Sequence, residues 1–328
     1  MTVSRRTFIA ALGAAPAVTL LPESAFAAYP DRPIHLIVPF AAGGNADVVG
    51  RLVGHQVSLQ LKQTVVVENR GGGGGAIGAE FVAHARPDGY TLLVASNGPM
   101  TINPLMHAQL GYSPLKDFVA VALTSYVPHA LVMANKVQVK TLAELIAQSK
   151  KKAVTIATSG FGSATHMTLE RLKAATGANF THVPYRGGGA MMPDLLSGAV
   201  DGAMTELSTA LQLHKGGKAH ILAVASAHRS KLAPDIATFI ESGVKNFTAQ
   251  SFIGIVAPAK TPAAVVTQLQ NAVEKGLSPD SDAVKRLIGL GAEIATPEQM
   301  TSKGFAAFLR NDTENMQQAA KLAGIKPK

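Results

Sequence analysis

The sequence predicts an α/β protein of two domains, each built on a mainly parallel sheet flanked by helices. Three observations predict it. Strand-like runs of β-branched and aliphatic residues alternate with segments of helical periodicity along almost the whole chain, the pattern of strand–helix–strand crossovers. The 328 residues exceed what one hydrophobic core organises. Two units of strand, glycine-rich loop and helix start, one early and one central, follow the same local plan.

The first element is an address rather than a structure. Ser4-Arg5-Arg6-Thr7-Phe8-Ile9 leads into an apolar stretch over 8–21, and Ala25-Phe26-Ala27 has the small-x-small form of a cleavage site. Paired arginines before a short apolar region predict a Tat-type export signal over 1–27, a mature chain starting at Ala28 and a periplasmic location. Roughly 14 apolar residues fall short of a bilayer's width, so no membrane insertion of the mature chain is expected. The chain has no cysteine, which leaves neither a lipid-anchoring thiol nor a disulfide.

Ile34-His-Leu-Ile-Val-Pro-Phe40 reads as a buried strand, Ala41-Ala42-Gly43-Gly44 as a tight loop, and Asn45-Ala-Asp47 as the start of an apolar-periodic helix. Such a junction presents backbone N–H groups that lack intrahelical partners, reinforced by the helix dipole, to a carboxylate or phosphate. Glycine allows the ligand close to the backbone. Asp47 serves equally as a plain helix cap. Further strands are expected at 64–67, 90–95, 130–133, 154–157, 221–225 and 252–257, with helices over 79–85, 142–149, 166–175, 190–196 and 263–277. Ser96 and Asn97 follow the third strand and reach the same cleft or form a turn. In open sheets of this kind ligands bind beyond the carboxyl ends of the strands.

The central unit is Val154-Thr-Ile-Ala-Thr158, the loop Ser159-Gly160-Phe161-Gly162-Ser163-Ala164-Thr165 and a helix near His166. Gly160-x-Gly162-x-x-Thr165 approaches a dinucleotide fingerprint, but the third glycine is replaced and no acidic residue follows about 20 positions later, so no nucleotide cofactor is expected. Gly-x-Ser-x-Gly is not met around Ser159 or Ser163, and serine or threonine at a helix start ordinarily caps it. The ten histidines are dispersed without a metal-binding spacing. His166 is expected to order its loop by hydrogen bonding, and His182 to end a strand at Thr181-His-Val-Pro184.

The formal charge of +9 falls by one on removal of 1–27, which carries Arg5, Arg6 and Glu23. A basic balance describes an overall field and not a site. Basic residues are scattered, tryptophan is absent, and no nucleic-acid motif is present, so no nucleic-acid partner is expected. Lys150-Lys151-Lys152 reads as a solvated helix end.

Tyr29-Pro30, Pro33-Ile34, Val38-Pro39-Phe40, Gly43-Gly44, Asp47 and Arg51 together resemble the opening of the Bug-type extracytoplasmic solute receptors of tripartite tricarboxylate transporters. The likeness continues through Val67-Glu68-Asn69-Arg70 with Gly71 to Gly75, Arg86-Pro87-Asp88-Gly89-Tyr90, Lys116-Asp117-Phe118, Ser159-Gly160-x-Gly162-Ser163-x-x-His166, His182-Val-Pro184-Tyr185-Arg186-Gly187 and Ala257-Pro258-x-x-Thr261-Pro262.

The resemblance implies a two-domain periplasmic binding protein that closes like a Venus flytrap on a small carboxylated solute and hands it to integral membrane transporter subunits, without catalysis. Domain 1 is then 28–129 plus 250–328 and domain 2 is 130–249, with hinges near 128–131 and 249–251. Carried onto matching positions, the proximal loop is Phe40, Ala41, Ala42, Gly43, Gly44, Asn45 and Asp47, and the distal loop is Ser159, Gly160, Phe161, Gly162, Ser163, Ala164 and Thr165. Tyr185 is added as a contact, while Arg186 reads as a surface residue, its alternative being a pair with the far end of a diacid. Ser251-Phe252-Ile253-Gly254 departs from the family, many of whose members carry tryptophan before that glycine, a change either of a cleft wall or merely of the core, and Gly71 to Gly75 is unusually glycine-rich. Glu206 reads as a solvated loop carboxylate, its sharper alternative being a cleft group that selects an amino group. Two other functions remain open: a periplasmic serine hydrolase of carboxylated esters, and a ligand carrier for a sensor kinase.

Overall fold

A computed structural model describes residues 29–322, so the export signal expected over 1–27 lies outside the described residues. The strands are β1 (Ile34–Val38), β2 (Val65–Asn69), β3 (Thr91–Ala95), β4 (Phe118–Ala134), β5 (Val154–Thr158), β6 (Phe180–Pro184), β7 (Gly202–Glu206), β8 (Ala219–Val224), β9 (Gln250–Pro258) and β10 (Glu293–Ile294). The α-helices are α1 (Asn45–Leu61), α2 (Ala76–Ala83), α3 (Asn103–Met106), α4 (Pro114–Asp117), α5 (Leu142–Lys151), α6 (Ala164–Thr176), α7 (Gly188–Ser197), α8 (Leu207–Lys215), α9 (Ala263–Gly276), α10 (Asp282–Gly289) and α11 (Ser302–Leu322).

Two sheets share β4. The first runs β2-β1-β3-β9-β4, with β10 also on β4; the second is β6-β5-β7-β4, with β8 on the far side of β4. Pairing is parallel among β1, β2 and β3 and among β5, β6 and β7, where helices return the chain, and antiparallel wherever β4 or β9 takes part. Each sheet is thus mixed, its parallel part carrying the strand–loop–helix junctions.

The sequence reading finds only the second half of β4, over 130–133. The strand has 17 residues and is buried along nearly all of its length. Pro128 lies where the pairing changes partner: Pro128 is opposite Gln250 of β9, and His129 is opposite Glu206 of β7. A proline cannot donate to a ladder and is read from sequence as a strand end. Here it occupies the handover between sheets. β7 was also missed, because Gly-Ala-Met-Thr-Glu carries neither a β-branched run nor alternation, although all five residues are buried. His182 stands in the middle of β6 rather than at its end.

The loops after β1 and β5, and the starts of α1, α6 and α7, meet across the line between the sheets. The Ala41 N–H donates to the Arg186 carbonyl at 2.9 Å, and Ser208 Oγ donates to Asn45 Oδ1 at 3.0 Å. The glycine-rich segment before α2 has its reason here. Gly74 has φ +58°, and a Cβ on it would press into the Phe161 carbonyl, 2.6 Å from the Gly162 carbonyl carbon. Only glycine lets those two backbones approach so closely.

Candidate functional site

Three helix N-termini converge on one cavity. Its walls are Phe40, Gly44, Asn45 and Ala46 from the β1–α1 junction, Ser96 and Gly98 after β3, Ser159, Ser163, Ala164 and Thr165 from the β5–α6 junction, Gly188 of α7, Glu206 of β7, and Ser251 and Ile253 of β9.

The proximal junction is held rigid by Asp47. The Gly43 N–H donates to its Oδ2 at 2.9 Å, the Asn69 amide donates to its Oδ1 at 2.9 Å, and Arg51 pairs with Oδ1 at 2.9 Å. Burial pushes this carboxyl up, but Arg51, the Gly43 amide and Asn69 together outweigh it and hold the group below its ordinary range. Asp47 therefore supports the loop from behind and does not line the cavity. Gly44 caps α1 without a side chain, which leaves the first-turn amides of Asn45 and Ala46 directed at the cavity.

The distal loop satisfies most of its amides internally. Ser159 N–H donates to Thr165 Oγ1 at 3.0 Å, Gly160 N–H to Thr158 Oγ1 at 3.3 Å, Gly162 N–H to His166 Nδ1 at 3.2 Å, and His166 N–H to the capping Ser163 Oγ at 3.2 Å. His166 orders its loop as the sequence predicts. The first-turn amides of Ala164 and Thr165 again have no intrahelical partner.

Two buried polar atoms on the walls have no partner: Asn45 Nδ2 and Ser96 Oγ, on residues only 4% and 5% exposed. With Ser208 donating to Asn45 Oδ1, the Asn45 N–H₂ is left without an acceptor in a residue that lines the cavity. A buried donor without an acceptor costs about 1–3 kcal/mol, so Asn45 Nδ2 calls for a partner from outside the protein, a water or a solute.

Of the residues expected at the site, Phe40, Gly44, Asn45, Ser96, Ser159, Ser163, Ala164 and Thr165 line this cavity. Ala41, Ala42, Gly43, Gly160, Phe161 and Gly162 shape the loops without lining it. Asn97 faces a separate cleft, accepting from the Phe252 N–H at 2.9 Å and donating to Asp312 at 3.4 Å. The Tyr185 hydroxyl donates to Asp194 at 2.5 Å, and Arg186 is exposed.

Sequence reasoning missed Ala46, Gly98 and Gly188 as wall residues, while Ser251 and Ile253 fall in the stretch read as cleft wall or core. Glu206 is corrected: it is buried at the end of β7 and lines the cavity. Ser251 Oγ lies 3.1 Å from Glu206 Oε1 and 2.9 Å from His129 Nε2, and His129 Nδ1 lies 2.8 Å from Thr168 Oγ1. Burial pushes the Glu206 carboxyl up; burial, aided by Arg171, lowers His129 to about 3.

Comparison with known proteins fixes the lineage. Residues 49–320 match the family model described as the tripartite tricarboxylate transporter family receptor. The chain belongs to this receptor family. Protein BugT of Bordetella pertussis is 34% identical over 284 residues, 85% of this chain and 86% of that one. The solved structure of periplasmic binding protein BugD is 34% identical with a TM-score of 0.88, covering 92% of this chain and 100% of the other. An R. palustris protein solved with adipate is 31% identical with a TM-score of 0.87, covering 92% and 100%. MatC from Rhodopseudomonas palustris, solved with bound malate, is 31% identical with a TM-score of 0.85, covering 89% and 99%. This receptor has the two-domain α/β architecture of periplasmic binding proteins, and its role is that of a solute receptor. Among the described residues no helix is long and apolar enough to cross a membrane.

Proposed function

We propose that this receptor, exported through its paired-arginine signal, captures a small carboxylated solute in the cavity between its two lobes and presents it to the integral membrane subunits of a tripartite tricarboxylate transporter. The observation that carries the proposal is the meeting of the α1 and α6 N-termini with the unpartnered Asn45 amide on one cavity. A carboxylate there accepts from first-turn amides and from Asn45 Nδ2 while its charge lies on the positive ends of both dipoles. The adipate and malate held by two relatives agree with that chemistry.

The domains follow as 28–129 plus 250–328 and 130–249, with β4 crossing between them and the chain returning just before β9. Contacts such as Ala41 to Arg186 form as the lobes close, so solute and closure favour one another.

The role is binding without chemistry. Ser163 Oγ caps α6, and Ser251, although hydrogen-bonded to His129, has the carboxylate of Glu206 on itself and not on the second imidazole nitrogen. An imidazole with its pKa near 3 is a poor base at neutral pH.

The test is to purify the exported protein, identify any small molecule released on gentle denaturation, and measure thermal shifts with a panel of carboxylates. A hundredfold excess over the dissociation constant stabilises by about 2.7 kcal/mol. A released acid that also restores the shift supports the reading; a protein that releases nothing and responds to no carboxylate overturns it.

A further inference from the structure

We propose that Glu206 is the specificity-determining residue of the cavity and selects a solute that bears a cationic amino group beside its carboxylate. The inference rests on the carboxylate reading above and deepens it.

The charges around the cavity are one-sided. Among the described residues lining it, Glu206 is the only ionisable side chain; no lysine, arginine or histidine joins the walls. The helix N-termini meet one carboxylate, but no cationic side chain on the walls pairs with Glu206, which at the start of α8 has only its own backbone N–H and the Ser251 and Thr205 hydroxyls to favour its charge, and burial outweighs them. Its Oε1 is engaged by Ser251 at 3.1 Å, while Oε2 makes a longer contact with Thr205 Oγ1 at 3.4 Å and faces the start of α7, where a Cβ on Gly188 would stand 3.7 Å away. Oε2 is therefore the open acceptor. A buried carboxylate with no cation partner is costly, and burial favours its neutral form in the empty protein. A solute ammonium supplies the missing charge.

The hydrogen-bond chain behind Glu206 is suited to that change. Thr168 Oγ1 lies 3.0 Å from the Ala164 carbonyl as well as beside His129 Nδ1. With Glu206 neutral, its O–H donates to Ser251, Ser251 donates to His129 Nε2, His129 Nδ1–H donates to Thr168, and Thr168 donates to the Ala164 carbonyl. With Glu206 ionised, every donor turns round: Thr168 donates to His129 Nδ1, His129 Nε2–H donates to Ser251, and Ser251 donates to the carboxylate. Both arrangements keep His129 neutral and give each of these side chains a partner. Glu206 gains charge with a buried hydroxyl ready to donate to it.

The experiment is calorimetric titration at pH 7 with L-aspartate, L-malate and succinate, and with L-alanine and propionate, on the wild type, Glu206→Gln and Asn45→Ala. Within each series the carbon frame is shared and only the amino group changes. The wild type is expected to bind an amino-bearing member at least tenfold more tightly than its hydroxy or unsubstituted counterpart, and Glu206→Gln to reduce that preference to under threefold while still binding the counterpart. A wild type that ranks malate or succinate level with or above aspartate, and propionate with or above alanine, overturns the inference without any variant; a preference that survives Glu206→Gln overturns the assignment to this residue. If the acids bind, lose affinity in Asn45→Ala, and draw no advantage from the amino group, the inference alone fails. If no member of either series binds, the carboxylate reading fails and the inference falls with it.

Discussion

Replacing Gly189 with alanine tests closure at a single point. Gly189 lies in the first turn of α7, and a Cβ there would overlap the Ala42 carbonyl oxygen, 2.9 Å from the Ala42 carbonyl carbon and 3.0 Å from that of Gly43. All of these atoms are backbone of the opposite lobe, so no side chain can swing aside. The φ of Gly189 lies outside the left-handed region, so alanine suits the local backbone and slightly favours a helix. The cost therefore falls on closure and not on folding. Overpacking of this kind costs about 1–3 kcal/mol. At 1.4 kcal/mol per factor of ten, a Gly189→Ala receptor should bind solute roughly 5- to 150-fold more weakly. Its ligand-free melting temperature should stay close to that of the wild type. Calorimetry gives the affinity, and small-angle scattering should show reduced compaction on solute addition. Wild-type affinity with full compaction in the variant would refute the reasoning that the α1 and α7 starts meet in the solute-bound form.

Two further predictions follow from the same geometry. Asn45→Ala removes a buried donor that has no partner but also the acceptor of the buried Ser208 hydroxyl, two effects of opposite sign, so the empty protein should lose no more than about 1–3 kcal/mol of stability while solute affinity falls about tenfold or more; urea melts with calorimetry check this, and a variant with intact affinity would contradict it. His129 is buried and lowered to about 3, so the unfolded chain takes up a proton near pH 6.5 that the folded chain refuses, and its contribution to stability is lost as pH falls from about 6.5 toward 3. Between pH 6.5 and 5 this amounts to about 1.5–2 kcal/mol. Glu206 and Asp312, both raised by burial, act in the opposite sense. Urea melts at the two pH values should therefore show a shallower loss, or a gain, in His129→Gln; equal slopes would exclude His129 as the source.

The sequence by itself determined what is local. A strand that ends in glycines and a helix that starts with a small polar residue make an anion-receiving junction wherever they occur, and both junctions, with most of the helices, were legible from periodicity and turn chemistry. The strand–helix alternation gave the fold class because a crossover between parallel strands needs a helix. The order of motifs gave the receptor family.

Tertiary structure decided what the junctions face. Pro128 reads as a strand end in sequence and becomes the handover of β4 between two sheets, because β9 supplies its partner on one side and β7 on the other. Asp47 looks like a ligand residue by its place beside Gly43 and Gly44, yet Asn69 and Arg51 reach it from behind and make it a support. Glu206 looks solvated in a stretch without strand character, and the pairing of β7 with β4 buries it against Ser251, 45 residues further along. Periodicity says which face of an element is apolar; it carries no information about which distant element covers that face. Asn45 Nδ2 and Ser96 Oγ are ordinary polar atoms in the sequence, and only a cavity closed from both lobes leaves them buried and unpaired.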